Sequence, residues 1–573
     1  MLGTARTGPG LLVLRRTQGL GAARLRLQVP GPLGHPQGEL KPVSRFFARM
    51  LPLRQQQQTG QTKHIDGKQG HPPKHTDTGT FNPVSLPGTG SRSFGFGAGG
   101  GADAVVTALI GIAVIFFGGT AYVEWYKAKV LRKIEKAFAP GYDPTLELVN
   151  HPSRSSGMDD AAFGSSHIMK REEQQRVDSI MAGKDVGRYY LFMGPKGGGK
   201  STMVVDAMKE LNADGISMCD AHPDLEVFRL RLGKALNYKF NEDSQMGLFQ
   251  RRDPHEGGPR LDIERAMNKL EKVAIKRAAK TGRPIVLVIN NIHLFNNDDE
   301  GRLLLKQLQQ RAESWAESHI ATMVFTSNDF WPYPVMRQIA KRMYILTVQD
   351  LDPEVAFKAF QEFRREHGQR HDPEEIVKQA IQVSGGRLAY MSRLAYSKHL
   401  ERSTDQLKRG EKAWLLANIG LIPDCDSDVL DEQKRSSSTW LLLREFVKRR
   451  EALEREAAER IKENLDSPEE FIPMPKISYY ECRQILTRPD LINQLDHLNI
   501  ISIDINHDIR LDSMLTFEAA RDIVSEEGFD ELLKGVRDRV DEIESLHRTR
   551  ELTFKDVESG DRIRVMVDKG GSK

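Results

Sequence analysis

Residues 188–202 read Arg-Tyr-Tyr-Leu-Phe-Met-Gly-Pro-Lys-Gly-Gly-Gly-Lys-Ser-Thr. The apolar residues 189–193 predict a buried strand, and residues 203–211, which follow the quoted stretch, predict a helix. The glycines between them allow backbone N–H groups to converge on an anion, and the start of the helix adds its dipole. A strand, a glycine-rich turn and a helix in this order predict a phosphate-binding loop.

The spacing Gly194-x-x-x-x-Gly199-Lys200-Ser201 is that of the Walker A motif. The motif predicts that Lys200 reaches the β- and γ-phosphates of ATP and that the Ser201 hydroxyl binds Mg²⁺. A chance glycine-rich loop is the alternative, which the flanking strand and helix disfavour. The predicted nucleotide-binding residues of the loop are Gly194, Pro195, Lys196, Gly197, Gly198, Gly199, Lys200, Ser201 and Thr202.

A second buried strand is predicted at residues 284–289, Pro-Ile-Val-Leu-Val-Ile, because this run is unbroken and apolar. Asn290 and Asn291 follow it, where an active ATPase usually has Asp and then Glu. Both are expected in the nucleotide site, yet Asn290 brings no charge and Asn291 cannot act as a general base. We therefore expect ATP to bind and hydrolysis to be slow or absent. Nearby acids that suit either a missing charge or a capping role are Asp220, Asp298, Asp299 and Glu300.

From these motifs outward, residues 165–400 resemble the AAA+ superfamily, in particular the branch of origin-recognition ATPases, archaeal ATPases and STAND proteins. Lys170-Arg171-Glu172-Glu173 is similar to the Arg-Glu box of that branch. Residues 322–326 and the following Ser327-Asn328 are similar to sensor 1, which implies that Asn328 lies near the γ-phosphate. The resemblance implies an α/β P-loop NTPase core, a parallel sheet flanked by helices, followed by a helical lid.

Two arginines extend the resemblance. Arg342 precedes the last predicted core strand and resembles an arginine that acts in trans on a neighbour's nucleotide, although a surface arginine at a strand start fits equally. Arg387, after Ser384-Gly385-Gly386, resembles sensor 2 of the lid, although it also fits a residue that follows a glycine helix cap. The catalytic side chains implied are Lys200, Asn328, Arg342 and Arg387.

The C-terminal third predicts a winged-helix-like domain at residues 469–530. Helices are expected at 477–486 and 490–498, and the alternating residues 501–505 and 509–511 predict a hairpin. Between residues 471 and 530, eleven acidic side chains face five basic ones. Because phosphate contacts provide most non-specific affinity for nucleic acids, this balance makes nucleic acid an unlikely ligand and favours protein partners, bound by this domain and by the charged helices around it.

The N-terminal region predicts targeting and membrane insertion. Residues 1–65 contain eight arginines and one acid, Glu39, which is typical of a mitochondrial transit peptide or of a disordered basic tail. Residues 104–123 are apolar, carry no charge and reach the ~20 residues of a membrane span. Tyr122, Trp125 and several lysines follow. A single span in the mitochondrial inner membrane is expected; the basic flank favours a matrix body, and arrested import would leave it in the intermembrane space.

Composition excludes several other classes. The 573 residues carry a net charge of +4, so the chain is not a globally basic nucleic-acid binder. Cys219, Cys425 and Cys482 are far apart, which argues against a disulfide framework or a structural zinc site.

The expected organisation has nine parts. They are a transit peptide (1–47), a disordered linker (48–103), a transmembrane helix (104–123), a juxtamembrane segment (124–164), the P-loop core (165–349), the lid (350–400), a helical connector (401–468), the winged-helix-like domain (469–530) and a C-terminal helix and tail (531–573). The function expected is that of a membrane-anchored mitochondrial ATP-binding protein, a slow ATPase that switches protein partners; assembly into a homo-oligomer is compatible with the resemblance. Two alternatives remain: a non-hydrolysing scaffold stabilised by nucleotide, and an inner-membrane tether for mitochondrial DNA.

Overall fold

The computed structural model describes residues 100–146, 171–240, 258–366, 372–462 and 472–555, all within one compact unit, Phe96–Lys573. The predicted transit peptide, most of the predicted linker and the end of the C-terminal tail lie outside the described residues. So does Lys170 of the Arg-Glu box.

The core is a five-stranded parallel sheet. Its strands are β1 (Tyr189–Met193), β2 (Ile216–Asp220), β3 (Ile285–Asn290), β4 (Ala321–Ser327) and β5 (Met343–Thr347), in the order β2-β3-β4-β1-β5. Strands β1, β3 and β4 are buried along their whole length, which explains why their sequences are continuous apolar runs rather than alternating ones. The predicted α/β core is confirmed.

Helices connect the strands and cover the sheet. They are α2 (Glu172–Met181), α3 (Lys200–Glu210), α4 (Leu225–Ala235), α5 (Gly258–Thr281), α6 (Asp299–Glu317) and α7 (Pro332–Arg337). Because parallel strands end at the same edge, this arrangement brings the loop after β1 and the last residues of β2, β3 and β4 together. The residues that the sequence predicts for the nucleotide lie mainly at this edge.

Three helices form the lid: α8 (Pro353–Glu366), α9 (Glu374–Ser384) and α10 (Leu388–Ala395). They share a small core of their own, in which Phe360, Ile381, Met391 and Leu394 are buried. Gly385, with a φ of 64°, ends α9 in the left-handed conformation that glycine adopts without strain. The three helices fall within residues 350–400, for which the sequence predicts a lid.

The C-terminal domain is a winged helix built on two long helices, α11 (Leu400–Ile419) and α12 (Leu430–Lys462). Strands β6 (Ile477–Ser478), β7 (Ile501–Ile503) and β8 (Asp508–Leu511) form an antiparallel sheet in the order β6-β8-β7. The remaining helices are α13 (Tyr479–Ile485), α14 (Pro489–His497), α15 (Met514–Val524) and α16 (Phe529–Lys555). Trp440 and Phe446 of α12, predicted as a connector, are buried in the same cluster as Leu495 and Phe517 of the winged helix.

Helix α1 (Gly100–Ala137) is exposed from Val105 onward and becomes buried towards its end. Its stretch Val105–Ala137 is long and apolar enough to cross a membrane, and its most apolar part makes no buried contact with the rest of the chain. Towards its end, Val130 and Ile134 are buried in the core, and Glu135 pairs with Lys276 and Lys280 of α5 at 3.1 and 3.0 Å. One continuous helix thus joins the apolar segment to the P-loop core.

Candidate functional site

The phosphate-binding loop joins β1 to α3 and leaves little space for side chains at its glycines. At Gly194, with a φ of 153°, an added Cβ would lie 2.0 Å from the carbonyl oxygen of Val348. At Gly197, with a φ of 79°, it would lie 2.7 Å from the Cβ of Ala389 in the lid. The N–H of Ala389 also donates to the carbonyl of Gly197 at 3.2 Å, so the lid rests directly on the loop.

Lys200, the first residue of α3, is 4% exposed. Its ammonium donates to the carbonyl oxygens of Gly194 and Pro195, at 2.7 and 2.9 Å. Burial lowers the pKa of Lys200 to about 7; the charge of Arg387 lowers it further, and neighbouring carboxylates offset part of the change. The side chain is thus folded back onto its own loop, with a pKa at which a nearby anion would restore its charge.

Arg171, the described arginine of the Arg-Glu box, also supports this loop. Its guanidinium donates to the carbonyl oxygens of Gly198 and Gln349. One side chain therefore connects the start of α2, the phosphate-binding loop and the segment after β5.

Asn290 is the centre of a hydrogen-bond network at the end of β3. Its Oδ1 accepts from the hydroxyls of Ser201 and Thr326 at 2.8 and 2.6 Å, and its Nδ2 donates to Oδ1 of Asp220 at 2.8 Å. Thr326 Oγ1 itself accepts from the N–H of Asn291, so its proton goes to Asn290. The Asp220 carboxylate can only accept hydrogen bonds, so the Asn290 amide turns its Nδ2 towards Asp220 and its oxygen towards Ser201 and Thr326. The structure therefore brings Ser201 and Asn290 together as the sequence predicts.

Asn291 adopts a left-handed conformation, with a φ of 57°, and begins the turn after β3. The side chain two residues later, His293, contacts the predicted sensor 1 residue. Nδ1 of His293 accepts from the N–H of Asn328 at 3.2 Å, and Nε2 lies 3.1 Å from Nδ2 of the Asn328 amide. Burial, and then the charge of Lys200, lowers the pKa of His293 to about 4, so the ring is neutral at pH 7. Sequence reasoning missed His293; its place two residues after the asparagine pair was the available signal.

Arg342 is not part of this constellation. It precedes β5 at the opposite edge of the sheet, where its carbonyl accepts from the N–H of Tyr189, the first residue of β1. Its guanidinium pairs with Glu317 at 3.3 Å and its side chain is 41% exposed. At ~3.3 Å per residue, the five residues of β1 separate it from the phosphate-binding loop by ~16 Å within one chain. A role in trans stays a prediction.

Arg387 is 1% exposed and lies between three parts of the chain. It pairs with both carboxylate oxygens of Asp350, at 2.9 and 3.0 Å, and with the carboxylate and carbonyl of Asp512. Burial opposes its charge, but Asp512 and Asp350 outweigh that effect and raise the pKa of Arg387, so it remains charged. Asp350 follows β5 and Asp512 follows β8, so Arg387 joins the core, the lid and the winged helix.

A second contact places the winged helix beside the predicted sensor 1. Oδ2 of Asp329 lies 2.8 Å from Nδ1 of His497, and Asp496 accepts from the N–H of Phe330 at 2.7 Å. Burial raises the pKa of Asp329, and His497 partly offsets this; burial also raises the pKa of Asp496. The end of α14 thus docks next to Asn328. The sequence offered no local signal for these pairs, whose members are 166 and 168 residues apart.

Comparison with protein families agrees with this architecture. Residues 416–544 match the model described as "Fungal AAA protein, C-terminal winged helix domain". The match includes the last residues of α11, all of α12 and the strands and helices up to α16. No curated protein sequence matches the chain at a significant level.

Solved structures that align with the chain include two proteins. The Walker-type ATPase PABY2304 of Pyrococcus abyssi aligns with 61% of this chain and 95% of its own, at 14% identity and a TM-score of 0.39. The Orc1 protein of Aeropyrum pernix, solved in complex with DNA, aligns with 65% of this chain and 97% of its own, at 14% identity and a TM-score of 0.32. Similarity at this level leaves function to be inferred from the site itself.

Proposed function

We propose that this AAA+ P-loop protein, whose C-terminal part carries the winged helix domain of fungal AAA proteins, binds ATP with Mg²⁺ and acts as a conformational switch on protein partners. The observation that carries the proposal is Lys200: a buried ammonium bonded to two carbonyls of its own loop. Phosphate oxygens are stronger acceptors than these carbonyls because they are charged. Lys200 would therefore exchange its loop contacts for the nucleotide, with the loop amides and the start of α3 as further donors.

The residues present also fit a magnesium ion. Ser201 presents a hydroxyl at the start of α3, and Asn290 Oδ1 lies 2.8 Å from it. Hydroxyl and amide oxygens are suitable partners for Mg²⁺ and its waters. When bound, the ion would neutralise phosphate charge.

The switch would act through Arg387. Its side chain passes the loop, with Cδ 3.7 Å from the place that a Cβ on Gly197 would take, and its guanidinium is held by Asp350 and Asp512. A nucleotide phosphate in this loop competes with Asp512 for the guanidinium. Bound ATP would thus weaken one of the contacts that dock the winged helix and expose a surface to partners.

Hydrolysis in this proposal is slow. Neither Asn290 nor Asn291 carries a charge, and the loss of one electrostatic stabiliser costs ~10²-fold or more in turnover. Asn328 would contribute near the γ-phosphate. Arg342 would act only if a second copy of the chain placed it against the nucleotide.

The second candidate is a scaffold that binds ATP without turnover. The arrangement around Asn291 favours it, because this residue uses its N–H to bond Thr326 within a left-handed turn, and its amide cannot take a proton from water. Tight binding without phosphate release would select this alternative.

The anchoring part of the proposal rests on the exposed apolar half of α1 and on the arginine-rich N-terminal region. We propose one span in the mitochondrial inner membrane, with the body in the matrix because basic residues follow the span. Protease protection of the body in isolated mitochondria, before and after rupture of the outer membrane, tests this. If the protease digests the body as soon as the outer membrane is ruptured, with the inner membrane still intact, the body lies in the intermembrane space.

The test of the central proposal uses the full chain in detergent. ATP binding with and without Mg²⁺, and phosphate release, are measured beside Lys200→Ala and Asn291→Glu. We expect binding to be lost in Lys200→Ala, little release by the parent, and a gain in Asn291→Glu. Brisk release by the parent would overturn the slow-ATPase reading, and salt-sensitive DNA binding would instead favour the mitochondrial DNA tether.

A further inference from the structure

We infer that Asp220, on the neighbouring strand, is the carboxylate that supplies the Mg²⁺ site with the charge that Asn290 lacks. The inference rests on the proposed function, because it concerns the ion that would accompany ATP at Ser201. It assigns Asp220 a positioning role: the side chain acts through Asn290 and through the waters of the ion.

The sheet places the two side chains in register. Strands β2 and β3 are parallel neighbours, and Asp220 and Asn290, each the last residue of its strand, are paired. The N–H of Ala221 donates to the carbonyl of Asn290 at 2.9 Å, which continues the pairing beyond both strands. Side chains at paired positions of neighbouring strands point to the same side, so Asp220 lies beside Asn290 at the edge where the phosphates would sit.

A short chain of hydrogen bonds links Asp220 to the predicted ligand of the ion. Ser201 Oγ donates to Asn290 Oδ1, and Asn290 Nδ2 donates to Asp220 Oδ1, both at 2.8 Å. Because the carboxylate accepts from the amide N–H, it shifts electron density towards the amide oxygen, which makes the oxygen that faces Ser201 a better acceptor. It also adds a negative charge two hydrogen bonds from Ser201, which would bind the ion.

Water can reach Asp220 as well. Asn290 is 5% exposed, whereas Asp220 is only partly buried. Mg²⁺ keeps several of its waters in nucleotide sites, and carboxylates beyond its direct ligands orient those waters. Asp220 therefore suits an outer-shell position, whereas Asn290 would face the ion more directly.

In the described part of the chain, the other acids at this edge either form other contacts or are exposed. Asp298 caps α6 and accepts from the N–H of Gly301 at 2.7 Å. Asp299 and Glu300 are exposed in the first turn of the same helix. Asp329 is bonded to His497. Of the four acids that the sequence left open, Asp220 is therefore the one that hydrogen bonds connect to Asn290 in the described residues.

The experiment measures ATP affinity of the full chain in detergent, with Mg²⁺ and with EDTA, by a fluorescent ATP analogue. The variants are Asp220→Asn, the matched control Asp298→Asn, and the charge swap Asn290→Asp with Asp220→Asn. The swap keeps every hydrogen bond of the network, because the new amide at 220 donates to the new carboxylate at 290. Each variant's melting temperature without nucleotide reports on folding.

We expect Mg²⁺ to strengthen ATP binding by the parent, and Asp220→Asn to reduce that enhancement by about tenfold or more, the usual cost of an outer-shell change. The swap should regain it and Asp298→Asn should retain it. Enhancement that is unchanged in a folded Asp220→Asn variant would overturn the inference. If Asp220→Asn does not fold, a folded swap variant without the enhancement overturns it as well. ATP binding by the parent in neither condition would instead reject the proposed function.

Discussion

Lys200 shows how burial adjusts a single residue for its task. The ammonium is almost fully enclosed, and its pKa is lowered to about 7 because burial disfavours charge. A phosphate placed against it reverses that effect, so binding and protonation are linked. Above pH 7, Lys200 is therefore largely neutral in the free protein, and it takes up a proton when a phosphate binds.

The first prediction is that ATP binding in Mg²⁺ is accompanied by uptake of roughly 0.9 proton at pH 8 and roughly 0.1 proton at pH 6. These two pH values lie one unit above and one unit below the pKa of Lys200, so in the free protein its ammonium is largely deprotonated at pH 8 and largely protonated at pH 6. Calorimetric titrations in buffers of different ionisation enthalpy measure this number. In Mg²⁺ the nucleotide's own phosphates stay ionised over this range, so the proton goes to the protein. Heats that are independent of the buffer at pH 8 would contradict the prediction.

Arg387 illustrates the opposite case, a buried residue that remains charged. Its partners Asp350 and Asp512 belong to different parts of the chain, and removal of Arg387 would leave the buried Asp512 and the partly buried Asp350 without this counter-charge. Removing one member of such a cluster costs ~3–5 kcal/mol.

The second prediction is therefore that Arg387→Ala lowers the free energy of unfolding by ~3–5 kcal/mol, because the buried carboxylate of Asp512 and the partly buried one of Asp350 lose their partner. Denaturant unfolding, followed by fluorescence and circular dichroism together, measures the change. Arg342→Ala is the matched control, since its exposed pair with Glu317 is worth under ~1 kcal/mol. Equal effects of the two substitutions would show that the buried cluster contributes nothing special.

At the scale of elements, the segment after α1 is part of the core. Asp143, which is buried, accepts from the N–H of Met218 at 3.0 Å, and the carbonyl of Phe138 accepts from the N–H of Gly215 at 3.0 Å. These bonds cover the outer edge of β2, which would otherwise offer unpaired backbone groups to other chains. The sequence predicted a separate juxtamembrane segment here and gave no indication of this role.

The third prediction concerns truncations. Residues 127–573 should be stable, whereas residues 147–573 should lose ~10 °C or more in melting temperature and aggregate. The shorter chain lacks Val130, Ile134, Phe138 and Leu146, and burial of each such side chain is worth ~1.5–3 kcal/mol. Differential scanning fluorimetry and size-exclusion chromatography compare the two. Equal stability would show that the segment only rests on the core.

The strands were easier to predict than the C-terminal helices. Buried parallel strands are short apolar runs between turn residues, so β1 and β3 were visible in the sequence within a residue or two. Helix α12 read as a charged connector because its mean composition is polar. Its buried face belongs to the core of the winged helix, and only the packing of α11, α12 and α15 against one another makes that face internal.

At the scale of the whole molecule, the winged helix makes two contacts beside the proposed nucleotide site: Asp512 pairs with Arg387, and His497 pairs with Asp329. A phosphate bound in that site would lie close to both contacts. The docking of this domain and the occupation of the site should therefore be coupled, by an amount typical of two linked sites, ~1–3 kcal/mol.

The fourth prediction is that ATP with Mg²⁺ raises amide hydrogen exchange in α14 and β8 by about fivefold or more, because the nucleotide competes with Asp512 for Arg387. Exchange measured by mass spectrometry with and without ATP tests it in the full chain. Lys200→Ala provides the control, since it should not respond to ATP. Protection instead of exposure in these segments would mean that ATP tightens the docking and that the switch runs in the opposite direction.

The sequence alone determined the phosphate-binding loop, the parallel core, the lid, the hairpin of the wing and the long apolar helix. Each depends on residues close together in the chain, whose spacing reports directly on strand, turn or helix. Only the tertiary structure decided that Asp220 stands behind Asn290 and that Arg387 is held by Asp512, pairs 70 and 125 residues apart. The same holds for the docking of the C-terminal part of α1 on the core. Contacts of this kind depend on how strands align and how domains pack, and neither can be predicted from residues that are close together in the chain.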